Sequence, residues 1–371
     1  MKIFIYALEM TVGGVEKALL GQLTQYPSES CDVTLLLREK RGDYLAFLPK
    51  HVKVVEHEEW KRVCNLVRNP VHISALNAMK SGRFLQALRL LLIFIQTKVR
   101  RSYQPLHNYV QTLLSDYPGE YDLAIDYAGP TAFTANFVAK KVKAKEKWTW
   151  VHFDVDRFPV DRKVVENVYS AFHKINVVLA EGKRHFDLQF PMFAQRTSIV
   201  YNIIDRESIE SLANVIPNPY QDIKAKIIIC TVGRISSEKG QLTAIHALKE
   251  LVDGGADVHW CFVGTGTDVK RCKEEVMKLG LESRVTFAGL QTNPYPWMKH
   301  CDIYVQPSAH EGFCITLAEA KIFNLPIVST SFTGAFEQLQ DYLPLHAVVE
   351  YNAREIAGGV KGLLKCLSPI S

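Results

Sequence analysis

Two stretches of this sequence combine the residue types that hold an anion with those that hold a polyol. In Thr231-Val232-Gly233-Arg234-Ile235-Ser236-Ser237-Glu238-Lys239-Gly240, an apolar run ends, Gly233 opens a turn, and two cations flank the start of a helix pattern. Paired charge-assisted donors on one such loop suit a diphosphate. The second stretch, SAHEGFCITLAEA from Ser308 to Ala320, separates Glu311 from Glu319 by seven residues and sets Gly312 beside the first. Carboxylates accept hydroxyl hydrogen bonds in pairs, so these two suit a sugar and a ribose. A helix opening near Cys314 would turn its free N–H groups toward a phosphate. Two weaker signals lie earlier, in Thr11-Val12-Gly13-Gly14-Val15 and in His152, which ends Trp148-Thr149-Trp150-Val151. The glycine pair permits close backbone approach to a ligand, and equally serves as plain turn chemistry. His152 reads either as a reaction-centre residue or as a satisfied strand-end histidine.

The elements that must position these residues follow from periodicity. Short β-rich apolar runs alternate with helical patterns, the signature of parallel sheets built from βαβ units. One series of predicted strands runs through 2–8, 32–37, 52–56, 122–127, 148–152, 175–180 and 198–201. A second runs through 226–232, 258–263, 284–288, 303–306, 327–329 and 347–350. Between them, 202–224 with IPNPYQD at its centre shows no apolar period and reads as a linker. The expectation is an α/β chain of two Rossmann-like, doubly wound domains facing across a cleft, 1–204 and 205–371, with ligands at the carboxyl ends of the strands.

The pairing of GRISSEKG with EGFCITLAE resembles family 4 of the retaining glycosyltransferases, which have the GT-B fold. GGVEKALL, the His152 strand end, VYNIID, VGTGTD and TSFTGAFEQL extend that likeness over most of the chain. The resemblance implies a metal-independent hexosyl transfer from a nucleotide-sugar, a UDP-sugar, with no further cofactor. It implies that Arg234 and Lys239 hold the donor diphosphate and stabilise the departing nucleotide, that Glu311 contacts sugar hydroxyls, and that Glu319 binds the ribose. Gly233, Gly264, Gly312 and the backbone at Phe313, Cys314 and Ile315 would complete the donor site. Gly13 and Gly14 would bring the first domain's backbone to the phosphates, and His152 would line the reaction centre.

Composition narrows the alternatives. Eight scattered cysteines with no C-x-x-C pair argue against zinc or disulfides. No apolar run approaches the ~20 residues of a spanning helix, and MKIFIYAL suits a buried strand better than a leader, so a cytoplasmic protein is expected. The net charge of +5 is uneven: 61–115 holds nine Lys or Arg and no Asp or Glu, leaving the rest net acidic by four. Within this basic helical insert, Phe84, Leu88, Leu91, Leu92 and Ile95 recur at helical spacing. The insert reads as either a core-packing helix with a solvated basic face or a peripheral contact with the inner face of an anionic membrane. It lacks the interleaved aromatics of a nucleic-acid surface. The expected acceptor is a glycan or lipid-linked precursor of a capsule, exopolysaccharide or other surface polysaccharide. Competing readings are a non-hydrolysing sugar-nucleotide epimerase of the same fold, a non-catalytic partner subunit, and a metal-dependent transferase using Asp154-Val155-Asp156.

Overall fold

The computed structural model of the chain describes residues 1–130 and 133–367. It divides into two compact units, Met1–Tyr201 and Asn202–Ser371.

The first unit holds a seven-stranded sheet: β1 Lys2–Ala7, β2 Asp32–Leu37, β3 Lys53–Glu56, β4 Glu120–Asp126, β5 Lys143–Val151, β6 Lys174–Val177 and β7 Thr197–Ile199. The second holds six strands: β8 Ile227–Val232, β9 Val258–Val263, β10 Val285–Gly289, β11 Ile303–Gln306, β12 Ile327–Thr330 and β13 His346–Val349. Their orders are β3-β2-β1-β4-β5-β6-β7 and β10-β9-β8-β11-β12-β13, and the pairings are parallel throughout. Every strand of both expected series is present, with ends shifted by a few residues.

The near-continuous apolar strands exist because both sheet faces are covered. In β8, Ile228, Cys230 and Val232 join one core cluster while Ile229 joins the other. The second cluster is closed by the helix Gln241–Asp253, through Ile245, Leu248 and Leu251, and by the helix Ala353–Leu367, through Ile356 and Val360.

Two expectations change. The stretch 202–224 is not a bare linker: Arg206–Leu212 is helical, with the Asp205 carboxylate capping it by accepting from Ser208 N at 3.1 Å. Ile209, Ala213 and Tyr220 are part of the second unit's core. A seven-residue helix anchored by one isoleucine shows no readable period. The second change concerns the insert, which forms four helices, Trp60–Arg68, Val71–Lys80, Phe84–Arg100 and Gln104–Gln111. Phe84–Arg100 buries Ala87, Leu90, Ile93 and Thr97, whereas Phe84, Leu88, Leu91, Leu92 and Ile95, the apolar face read either as core-packing or as a surface contact, are exposed and do not pack on the core.

Candidate functional site

β8 and β11 are adjacent and parallel, Ile229 beside Ile303 and Cys230 beside Tyr304, so the loops after them open on the same sheet edge. The strand order reverses between these two, the place where open α/β sheets put ligands. The β8 loop carries Gly233, Arg234 and Lys239; the β11 loop carries Glu311, Gly312, Phe313 and Cys314.

A main-chain bond ties the loops, Ala309 N donating to the Glu238 carbonyl at 2.8 Å. Close approach is possible because Gly240 sits in the left-handed region (φ 73°), where a Cβ would lie 1.9 Å from the Pro307 carbonyl oxygen. The result is a charge pair across the gap: Lys239 Nζ donates to Glu311 Oε1 at 2.7 Å and to Oε2 at 2.6 Å. Burial pulls the Lys239 ammonium toward neutrality, but Glu311 opposes this, and the net direction is upward. Lys239 is therefore a fixed cation at neutral pH.

Glu311 is held from behind, its Oε1 accepting from Ser308 Oγ at 2.7 Å and from Gln306 Nε2 at 3.4 Å. Gln306 is in turn oriented by Tyr304 OH at 2.8 Å and Thr316 Oγ1 at 3.1 Å, both donating to its Oε1. Oε2 carries only the lysine among these bonds and keeps a lone pair for a hydroxyl. Arg234 is mostly exposed and pairs with Glu238 at 2.8 Å. Gln241 staples the same loop, donating to the Arg234 carbonyl at 3.0 Å and accepting from Ser236 N at 3.3 Å.

Glu319 lies buried on the short helix Ile315–Ala320 and accepts from Tyr295 OH at 3.0 Å. Cys314, at the cap of that helix, has φ 57°, one of three described non-glycine residues with positive φ. Such a conformation costs about 1 kcal/mol and is tolerated where surroundings impose it. Burial drives its thiol far up, so the sulfur is inert at neutral pH. The Phe313 carbonyl accepts from Gln338 Nε2. Gly264, in the loop after β9, would place a Cβ 2.0 Å from the Gly233 carbonyl oxygen, so its glycine is required by packing between loops.

Gly13, Gly14 and His152 belong to the first unit. The Gly13–Gly14 turn follows β1, with open space around Gly14. Its base is pinned by main-chain bonds from Met10 N to Arg41 O and from Tyr44 N to Met10 O, both 2.9 Å. His152 follows β5, and its Nε2 lies 2.9 Å from the Tyr127 carbonyl, which fixes Nε2 as the protonated nitrogen and leaves Nδ1 as an acceptor. Burial lowers its pKa to about 4, so the ring is neutral near pH 7.

Glu238, Gly240 and Ser308 stand in the quoted motifs without an assigned role, and Gln306 and Gln241 lie just outside them; the supporting contacts of all five were not readable from the sequence. Gln306 left one trace, an amide ending an apolar strand, which a buried position must satisfy. Asp154 is buried and turned inward, accepting from Asp156 N at 2.9 Å and lying 2.9 Å from His185 Nδ1. Among the described residues no group of three or more His, Cys, Asp or Glu is placed to hold a metal ion.

Two successive parallel Rossmann-like sheets, the second with the Lys239–Glu311 pair at its strand reversal, define the GT-B fold. Over its whole length the chain is similar to the crystal structure of Anabaena HepE in complex with UDP-glucose, with TM-score 0.68, 18% identity, and coverage of 99% of this chain and 90% of that one. In sequence it is 29% identical over 196 residues to an uncharacterized glycosyltransferase of Methanocaldococcus jannaschii, covering 51% of this chain and 48% of that protein. It is 28% identical over 246 residues to a lipopolysaccharide 1,6-galactosyltransferase of Salmonella typhimurium, covering 64% and 62%. The chain thus spans about half the length of the first of these relatives and under two thirds of the second. Residues 216–367 match the family model for glycosyl transferases group 1.

Proposed function

We propose that the protein is a retaining, metal-independent glycosyltransferase that moves a hexosyl group from a nucleotide-sugar, a UDP-sugar, to a lipid-linked or surface-polysaccharide precursor. The Lys239–Glu311 pair carries this reading. It joins a diphosphate-type cation loop to a sugar-type carboxylate loop at one sheet edge. The complex of the structural neighbour with UDP-glucose and the lipopolysaccharide acceptor named for one relative support the donor and acceptor classes.

In this mechanism the acceptor hydroxyl oxygen attacks the anomeric carbon on the face from which the diphosphate leaves. The carbon–oxygen bond to phosphate breaks as the new glycosidic bond forms, and the hydroxyl proton passes to the departing phosphate oxygen. Lys239 and Arg234 meet the negative charge that develops. Glu311 Oε2 accepts from a donor-sugar hydroxyl, and Glu319 from the ribose. A fixed cation aimed at developing charge contributes on the order of 10²-fold or more to turnover. Lys239→Ala should therefore lose about that factor at saturating donor; near-normal turnover would remove Lys239 from the mechanism.

A further inference from the structure

The helix Phe84–Arg100 presents an unusual surface. Phe84, Leu85, Leu88, Leu91, Leu92, Ile95 and Val99 are all exposed, Leu85 by 87% and Val99 by 79%. At about 100° per residue these seven fall within one arc roughly 120° wide, centred opposite the buried arc of Ala87, Leu90, Ile93 and Thr97. No polar side chain falls inside it. Lys98 borders it on one side, and on the other Gln96 separates it from Arg89 and Arg100. The preceding helix adds exposed Ile73, Leu76 and Met79.

The charges around this stripe differ from those at the rest of the insert. Lys61, Arg62 and Arg68 are matched by Glu56, Glu58, Glu59 and Glu39. Among the described residues, Lys80, Arg83, Arg89, Lys98, Arg100 and Arg101 have no acidic partner. Cations without acidic partners flank a continuous apolar stripe, Arg89 lying over the Tyr109 ring at 4.6 Å and Lys98 over the Phe94 ring at 5.7 Å, and this arrangement is complementary to a surface that is apolar inside and anionic at its rim. Among the described residues no helix is long and apolar enough to cross a membrane, and the geometry that fits this stripe is a helix lying in the interface.

We propose that the helix Phe84–Arg100 docks the protein onto an anionic lipid bilayer, its stripe sunk into the boundary between headgroups and acyl chains. The cations on either side engage lipid phosphates. A second copy fits this face poorly, because it would set Arg89, Lys98 and Arg100 against the same cations, with no acid between 61 and 115 to answer them. The proposal deepens the transferase reading, on which it rests only for what waits at that surface, a lipid-linked acceptor.

The test is flotation of the full chain with vesicles of phosphatidylcholine alone and of phosphatidylcholine with about one third phosphatidylglycerol. Binding is expected only to the anionic vesicles and should weaken as salt rises. Leu88→Asn with Leu92→Asn, both solvent-exposed changes, should abolish it. Neutralising Arg89, Lys98 and Arg100 to Gln should lower partition about 100-fold, near fivefold per cation. Absence of flotation, or equal flotation of the Leu88/Leu92 variant, overturns the proposal. So does a dimer seen by light scattering that the leucine variant dissolves while neither protein floats. Hydrolysis of UDP-sugar, measured without vesicles, should be the same in all variants. Its persistence when flotation fails would sink the docking alone, and its absence from the parent would count against the transferase reading alone.

Discussion

At the scale of single residues, the chemistry rests on groups whose ionisation is set by what surrounds them. Lys239 and Glu311 hold each other charged in a partly desolvated place. Removing one member leaves the other without its counter-charge, so Lys239→Met should cost about 2–4 kcal/mol of stability, read from the urea midpoint. Adding Glu311→Gln should restore part of that loss; strict additivity would show that the two do not interact. Asp126, at the end of β4, gives a pH signature. It is buried, and burial raises its carboxyl from 3.8 to about 6, although Thr134 and Thr149 hydroxyls donate to it at 2.6 and 2.7 Å. The folded state thus keeps a proton that the unfolded chain releases near pH 4. This contribution to stability is full below about pH 4 and is lost as pH rises through about 6, a change of about 3 kcal/mol. The stability of Asp126→Asn relative to wild type should therefore rise by about that amount between pH 4 and pH 7 in denaturant titrations. A pH-independent difference would contradict the assignment.

At the scale of elements, the site depends on loop apposition more than on the acids and bases themselves. Gly240 is the closest point of contact, with a positive φ and a would-be Cβ 1.9 Å from the Pro307 carbonyl. Gly240→Ala should push the β8 and β11 loops apart, break the Ala309–Glu238 bond, and separate Lys239 from Glu311. We expect a loss of about 2 kcal/mol or more together with loss of UDP binding by calorimetry. Unchanged UDP affinity would mean that the two loops need not touch for donor binding. The same dependence explains Cys314, which adopts a left-handed conformation because the chain must turn there from the Glu311 loop into the helix Ile315–Ala320.

At the scale of the whole molecule, each unit has its own sheet and its own core clusters. Every donor-site candidate from Gly233 to Glu319 lies in the second. A fragment spanning 202–371 should fold and bind UDP. One beginning at Lys226 should not, because it lacks Ile209, Ala213 and Tyr220 from the core, the bond from Tyr220 OH to the Trp297 carbonyl at 2.7 Å, and the acceptor Leu212 O that Asn293 uses at 2.9 Å. Circular dichroism and thermal melting with and without UDP compare the two, and a folded, UDP-binding shorter fragment would show that 206–220 is dispensable.

The residue pattern alone determined both sheets and the two loops that open at the second one's strand reversal. Runs such as IIICTV and VHWCFV, alternating with helical patterns, suit strands buried on both faces of a parallel sheet, which puts GRISSEKG and EGFCITLAE at the carboxyl ends of their strands. These signals are local, carried by side-chain type and short period. Tertiary structure decided what depends on neighbours distant in sequence. It placed Gln306 and Ser308 behind Glu311, made Gly240 a contact with Pro307, turned Asp154 inward to His185, and folded the helix Arg206–Leu212 onto the core. It also settled the direction of the helix Phe84–Arg100. A helical wheel with two apolar arcs does not say which one faces the protein. Packing assigned the small and medium side chains Ala87, Leu90, Ile93 and Thr97 to the core and left the larger stripe outside.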